Sequence, residues 1–261
     1  MQNEFEKYVR NHLNYKGTMG DNIIQSIGKP INTQSIAPNY DVDASLTPYI
    51  LEERELRVTQ MDIFSRLMMD RIIWIAGPIN DAVSTVVQAQ LLFLESLEKD
   101  KDVTLHLDTP GGSVKSGLSI IDSMENANFD IMTVNTGMCA SMGSVMLAAG
   151  TKGKRNSLRF SKVMTHQVSH GTQGNVQATR IDQLEAEKYN YVLFQKLAQY
   201  SGKTWKEVMD YSKQDRWFTS DEAKGYGLID EVILKEGTKS MTDLLKGFDE
   251  YEKYIKDNML N

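Results

Sequence analysis

Residues 103–134 read VTLHLDTPGGSVKSGLSIIDSMENANFDIMTV, and the order of textures within this stretch decides the fold class. Val103 to Leu107 has the composition of a strand, and it stops at Thr109-Pro110-Gly111-Gly112, where proline and glycine favour a turn. A helix-like segment carrying Leu118, Ile121 and Met124 follows, and Ile131 to Val134 is the next strand. The unit is strand, turn, helix, strand, and its repetition along the chain predicts an α/β domain.

Downstream, the second strand runs into Gly137 and then a small-residue helix, Ala140 to Gly150, with further strands expected near Leu158 and at Val163-Met164. Upstream, a helical pattern through Phe64, Leu67 and Met68 precedes the apolar strand Ile72 to Ala76, closed by Gly77-Pro78. Asn80 is the expected N-cap of a long helix carrying Val83, Val86, Val87, Leu91, Leu92 and Leu94. Beyond His166 the pattern loosens, and a helix is expected from about Gln177 to Tyr200. Thr204 with Glu207, and Thr219 with Glu222, have capping-box spacing, and Leu228 to Leu234 reads as the closing strand.

Three regions result. Residues 1–47, polar after an amphipathic start and carrying Gly28, Pro30 and Pro38, read as an N-terminal extension; 48–234 is the domain. In the tail, 235–261, Met241, Leu244, Leu245, Phe248, Tyr251 and Ile255 recur at helical spacing and predict an amphipathic helix packed on the body or on a neighbour.

Apolar residues make up 41% and charged residues 25% of the 261, ordinary values for a folded globular protein. A net charge of −6 without a Lys/Arg-rich stripe gives no electrostatic reason to expect nucleic acid or an anionic membrane as partner. The longest apolar runs are too short to cross a bilayer. Cys139 is the single cysteine, so no internal disulfide can form, and no leader-like segment opens the chain; a cytoplasmic location is the expectation.

Of the chemistry-bearing residues, Ser141 and His166 fall at the ends of expected strands and Asp215 between helical segments. Ser141, in Gly137-Met138-Cys139-Ala140-Ser141-Met142-Gly143, sits between an apolar strand and a helix start, where backbone amides can stabilise charge developing near its oxygen. A serine nucleophile needs a base, and the four histidines are His12, His106, His166 and His170. His166, ending the apolar run Val163-Met164-Thr165, is best placed, with His170 second. Asp215, in Gln214-Asp215-Arg216-Trp217-Phe218, is the candidate to orient the histidine, its aromatic context suggesting burial; pairing with Arg216 is the rival reading. Pro110-Gly111-Gly112 offers backbone N–H groups for an oxyanion hole, or is simply a tight turn.

From Asp62-Ile63-Phe64-Ser65-Arg66-Leu67 to Ile229-Asp230 the chain resembles the ClpP family of Clp protease proteolytic subunits. The motifs that carry the resemblance are, in order, Gln88 to Glu95, Thr109-Pro110-Gly111-Gly112-Ser113-Val114, Gly137 through Gly143, Gly153-Lys154-Arg155, Val163-Met164-Thr165-His166-Gln167, Asp215-Arg216, Glu222-Ala223 and Tyr226 to Asp230. The resemblance implies a crotonase-like α/β spiral of repeated strand-strand-helix units with a protruding handle. It implies a Ser141, His166, Asp215 triad and oxyanion donors at the Gly112 and Met142 amides. Extended substrate would lie along Gly111, Ser113 and Val114 on one side and Gln167 and Val168 on the other, a main-chain mode that tolerates many sequences. The implied assembly is two stacked seven-membered rings enclosing a chamber for unfolded polypeptide, without metal or organic cofactor.

The departures bear on partners. Where the family has an apolar pocket for a loop of an ATP-driven AAA+ unfoldase, this chain has Thr104, His106, Asn126 and Thr136, with Ile233 among the few apolar members, which predicts weakened docking. Lys213 and Gln214 stand where many members have an acid and an arginine that pair across rings; Val168 replaces a proline and His170 a glycine, and about two extra residues fall near Asn175-Val176. Pro48 to Glu52 resembles the start of the mature family chain, so residues 1–44 are expected to be a propeptide or a permanent appendage. Two alternatives stand beside the peptidase: a non-catalytic ring subunit paired with a more typical paralogue, and a crotonase-like acyl-CoA enzyme. The three triad residues together favour the peptidase.

Overall fold

The computed structural model describes residues 49–54 and 57–258, so the 1–47 extension and any processing near residue 44 lie outside the described residues. A hairpin, β1 (Tyr49–Arg54) and β2 (Arg57–Asp62), opens it, paired antiparallel from Tyr49 opposite Asp62 to Arg54 opposite Arg57. The Asp62 carboxylate then accepts the Phe64 and Ser65 amides and starts α1 (Ile63–Met69).

The main sheet follows the alternation anticipated for residues 72–134. β3 (Ile72–Ala76), β4 (Val103–Thr109) and β5 (Ile131–Ala140) are parallel neighbours, joined by α2 (Asp81–Leu97) and α3 (Val114–Asn126). In β4, Val103, Leu105, Leu107 and Thr109 are buried while the residues between them reach the other face. Asn80 caps α2 as expected, its Oδ1 accepting Val83 N–H at 3.0 Å. Val83, Val87, Leu91 and Leu94 of α2 and Ile120, Ile121 and Met124 of α3 close the core.

β5 is longer than Ile131–Val134 because it does not stop at Gly137. Its first half pairs with β6 (Arg155–Leu158) and its last three residues pair with β7 (Lys162–Thr165), so the sheet forks along one strand. Asn135 stitches the fork: its Nδ2 donates to Lys162 O at 3.0 Å, and its own carbonyl accepts Ser161 Oγ at 3.1 Å. Opposite, Asp108 accepts Met138 N–H at 3.0 Å, and a Cβ on Gly137 would stand 2.7 Å from that carboxylate. Gly137 thus admits the side chain that bridges the register shift between Leu107 and Thr109 of the β4–β5 pairing, and does not end the strand.

α4 (Met142–Ala148) follows β5 immediately and is buried along its whole length. α5 (Val176–Ser201) projects its N-terminal half, with Val176, Ile181 and Leu184 exposed, while Leu193, Phe194, Leu197 and Ala198 pack inward; this is the handle. α6 (Trp205–Tyr211) and α7 (Ser220–Tyr226) each begin with the expected capping box. Between them β8 (Arg216–Thr219), not anticipated as a strand, pairs antiparallel with β7. β9 (Glu231–Ile233) is shorter than Leu228 to Leu234, because Gly227, at φ 97, caps α7 and sends Leu228 and Ile229 into the core before the strand can start. The tail helix is broken into α8 (Met241–Leu244), a 3₁₀ turn (Leu245–Gly247) and α9 (Phe248–Asn258), consistent with the low helix propensity of Gly247. The architecture is the α/β spiral with a handle that the motifs implied. Among the described residues no helix is long and apolar enough to cross a membrane.

Candidate active site

Where β5 ends and α4 begins, the chain turns through Ser141, whose φ of 54 lies in a region that costs a non-glycine residue about 1–3 kcal/mol. The Ser141 N–H donates to Met164 O at 2.9 Å, and its carbonyl accepts Ser144 N–H at 3.0 Å and Ser144 Oγ at 2.7 Å. The backbone is held from both sides while the hydroxyl makes no helix-capping bond. It points instead at His166, with Ser141 Oγ to His166 Nε2 at 2.8 Å.

β7, paired with the end of β5, delivers His166 one residue past its last strand position. On its other edge β8 aligns Thr165 with Arg216 and so brings Asp215 alongside, Asp215 Oδ1 lying 3.2 Å from His166 Nδ1. The loop before Asp215 is tied down by Ser212 Oγ, donating to Thr165 Oγ1 at 3.3 Å, and by Gln167 Nε2, donating to Lys213 O at 3.4 Å. Ser141, His166 and Asp215, from three strand ends, therefore form one connected chain of hydrogen bonds. The expected burial of Asp215 is not observed: its side chain is 63% exposed, because the aromatic neighbours turn elsewhere, with the Arg216 guanidinium over Tyr211 and Phe218 at 5.4 and 5.9 Å.

The glycine turn packs under Ser141. Ile79 bridges to Gly112, its N–H donating to Gly111 O and its carbonyl accepting Ser113 N–H, both at 2.8 Å. In this parallel pattern Gly112's own amide takes no part, and it faces away from Ile79. Ser113 caps α3 through Ser116 N–H, and Val114 begins that helix. A cleft of about 200 Å³ is lined by Gly112, Val114, Ser141, Met142, His166, Gln167 and Val168, so the glycine turn, the start of α4 and the serine border one space. Its apolar wall is Met164 with Leu193, Phe194 and Leu197 of α5. The wall residues were legible in the sequence as an i, i+1, i+4 pattern late in a long helix, yet nothing local connects them to Ser141. Val168 N–H donates to Asn190 Oδ1 of α5 at 3.0 Å, a contact that no local pattern predicts.

Cys139, two residues before Ser141, is fully buried, and burial followed by the Asp108 charge pushes its thiol well above the ordinary value, so it is no rival nucleophile. Among the described residues no three His, Cys, Asp or Glu side chains are grouped to hold a metal ion.

The family model for Clp protease matches residues 54–236, which span the fork, the glycine turn and all three hydrogen-bonded side chains. The chain belongs to the Clp protease family. An ATP-dependent Clp protease proteolytic subunit of Bacteroides fragilis strain YCH46 is 43% identical over 233 residues, 89% of this chain and 99% of the relative. The subunit of the same name from B. fragilis strain ATCC 25285 is 48% identical over 191 residues, 73% of this chain and 92% of the relative. That of Porphyromonas gingivalis is 41% identical over 234 residues, 89% and 98%.

The polar positions Thr104, His106 and Thr136 fall on the neighbouring strands β4 and β5, where Thr136 Oγ1 donates to Leu107 O at 3.2 Å. Thr104 and His106 lie on β4, Asn126 ends α3, and Thr136 shares a cavity of about 440 Å³ with Ile233, Leu158 and Phe160. His106 stacks on Trp74 with ring centroids 4.8 Å apart. Trp74, Leu158 and Phe160 are exposed, so this Clp-family chain keeps apolar surface beside the polar set that the sequence emphasised.

Proposed function

We propose that this chain is a serine endopeptidase that hydrolyses unfolded polypeptide through an acyl-enzyme on Ser141. The observation that carries the reading is the hydroxyl held 2.8 Å from His166 Nε2 while His166 Nδ1 lies 3.2 Å from Asp215. As Ser141 Oγ bonds to the scissile carbonyl carbon, His166 Nε2 takes its proton, and Asp215 keeps the ring in the tautomer that leaves Nε2 free to accept. The carbonyl oxygen gains the charge and is stabilised by the Gly112 and Met142 amides. The C–N bond then breaks as His166 returns the proton to the departing amine, and water, deprotonated by the same imidazole, releases the acyl group and restores Ser141.

Substrate lies extended between Gly111 to Val114 and Gln167-Val168, with side chains toward the apolar wall of α5. Stacked heptameric rings around a closed chamber, fed by an ATP-driven unfoldase, complete the reading; the relatives' names carry the ATP dependence. Docking draws on Ile233 with the exposed Leu158 and Phe160 and is weakened by the polar Thr104, His106, Asn126 and Thr136.

Intact-mass spectrometry after fluorophosphonate treatment tests the reading, with Ser141→Ala alongside. One adduct on the parent and none on the variant is the expected result; an unlabelled parent, or a labelled variant, would remove Ser141 as nucleophile.

A further inference from the structure

Asn190 stands one helical turn before Leu193 and Phe194, on the face of α5 that walls the cleft. Its Oδ1 accepts the Val168 N–H at 3.0 Å in a part-buried setting. Val168 is two residues beyond His166 and lines the cleft with Gln167 and Ser169. Gln167, its neighbour, is tied through Nε2 to Lys213 O at 3.4 Å, so the strip after the histidine is fastened to the helix wall at one residue and to the loop before Asp215 at the next. Fastening at Val168 depends on a residue that has an amide hydrogen. A proline, which the family resemblance leads one to expect at this position, has none and could not use Asn190. Residues 168 and 190 therefore form a matched pair in this chain.

We infer that Asn190 is a positioning residue for substrate binding, which acts through the Val168 amide to fix the 167–169 strip as the edge against which an extended polypeptide pairs. The inference rests on the peptidase reading above. A strip already ordered costs less to organise when substrate arrives. The benefit falls on substrates long enough to pair with it, and a small reagent that reaches only Ser141 gains nothing. The signature of Asn190 is thus a change in KM for long peptides without a matching change in acylation.

The test uses the full-length chain as parent, with Asn190→Ala, Asn190→Asp, Val168→Pro and the Val168→Pro/Asn190→Ala double variant. Each is assayed for cleavage of a fluorogenic decapeptide and for the rate of fluorophosphonate labelling at Ser141. Loss of one hydrogen bond predicts that Asn190→Ala raises KM roughly three- to tenfold, with kcat and labelling changed by less than about twofold. Asn190→Asp keeps the acceptor oxygen and is expected to restore the parent KM. In the Val168→Pro background, where no amide hydrogen remains, Asn190→Ala is expected to add nothing. An unchanged KM, an equal fall in labelling and cleavage, or a failure of Asn190→Asp to rescue would overturn the inference, and the Asn190 pair decides it even where Val168→Pro does not fold. A parent that labels on Ser141 yet leaves the decapeptide intact overturns the endopeptidase reading and the inference with it. A parent that labels and cleaves while Asn190→Ala matches it overturns the inference alone.

Discussion

Gly111 lies so close beneath Ser141 that a Cβ on the glycine would stand 2.7 Å from the serine Cβ and 2.6 Å from the Ala140 carbonyl oxygen. Gly111 also has a φ of 92, so any side chain there meets both a clash and backbone strain. The turn must then move away from Ser141 and take the neighbouring Gly112 amide with it. Gly111→Ala is expected to slow fluorophosphonate labelling by about a hundredfold or more, the scale of losing one oxyanion donor. Labelling rates read by mass spectrometry, with far-UV circular dichroism to confirm an intact fold, check this.

Asp215 reaches His166 from the open side of the cleft, and its exposure separates its effects on activity and on stability. Asp215→Asn offers an amide where a carboxylate held the ring, which favours the wrong tautomer. Labelling of Ser141 is expected to fall about 10²- to 10⁴-fold. Unfolding stability is expected to change by no more than about 0.5 kcal/mol, as for most surface substitutions. A denaturant titration beside the labelling assay reads both.

The opposite balance holds at Arg155 and Asp230. The guanidinium is 1% exposed; its Nε donates to Asp230 Oδ2 at 2.9 Å and its Nη2 to Asp230 Oδ1 at 2.6 Å. Burial alone would raise the Asp230 carboxyl, but the Arg155 side chain and the Arg155 and Gly153 amides outweigh it and hold the group well below the usual carboxylate range. Because the folded carboxyl titrates below its unfolded value, the pair contributes fully above about pH 4 and is lost as pH falls through the lowered value. Asp230→Asn leaves a buried cation without its counter-charge and is expected to cost about 3–5 kcal/mol at pH 7. Urea melts of parent and variant should begin to approach each other below about pH 4 and meet only as pH falls through the lowered value.

His106 carries a removable cost. Its ring stacks on Trp74, yet Nδ1 is buried without a hydrogen-bonding partner among the described residues, and burial lowers its pKa from the ordinary 6.5. His106→Phe keeps the stacked ring and removes the orphaned nitrogen, and a gain of about 1 kcal/mol is expected at pH 8. Below pH 6.5 the unfolded parent binds a proton that the folded parent resists, so parent stability declines with falling pH and the variant's does not. The gain should therefore be larger at pH 5 than at pH 8 in thermal melts.

Local patterns carried most of the domain into view. The apolar residues of β4, the Thr109 to Gly112 turn and the two capping boxes act within a few residues of themselves, and the sequence places each of them correctly. What it did not place depends on partners distant in the chain. β8 is four residues long and becomes a strand only because β7 offers its edge. Gly137 reads as a terminator until the Asp108 carboxylate is seen occupying the room its missing side chain leaves. The site divides the same way. Ser141 and His166 lie at strand ends that can be read locally, whereas the bond from His166 to Asp215 and the bond from Val168 to Asn190 join segments 49 and 22 residues apart.

The burial of Arg155 also bears on when the molecule becomes competent during its own synthesis. Its Nη1 reaches Tyr200 O at 2.9 Å, near the end of α5, and its counter-ion arrives 75 residues later in the chain. Until Asp230 has left the ribosome, the segment behind Ser141 must hold an uncompensated cation or remain open. A chain stopped at Ile229 is accordingly expected to show little labelling of Ser141. On the endopeptidase reading a growing polypeptide is the kind of material such a site would cut, and the late arrival of this one carboxylate keeps each copy unfinished while its own chain is still exposed.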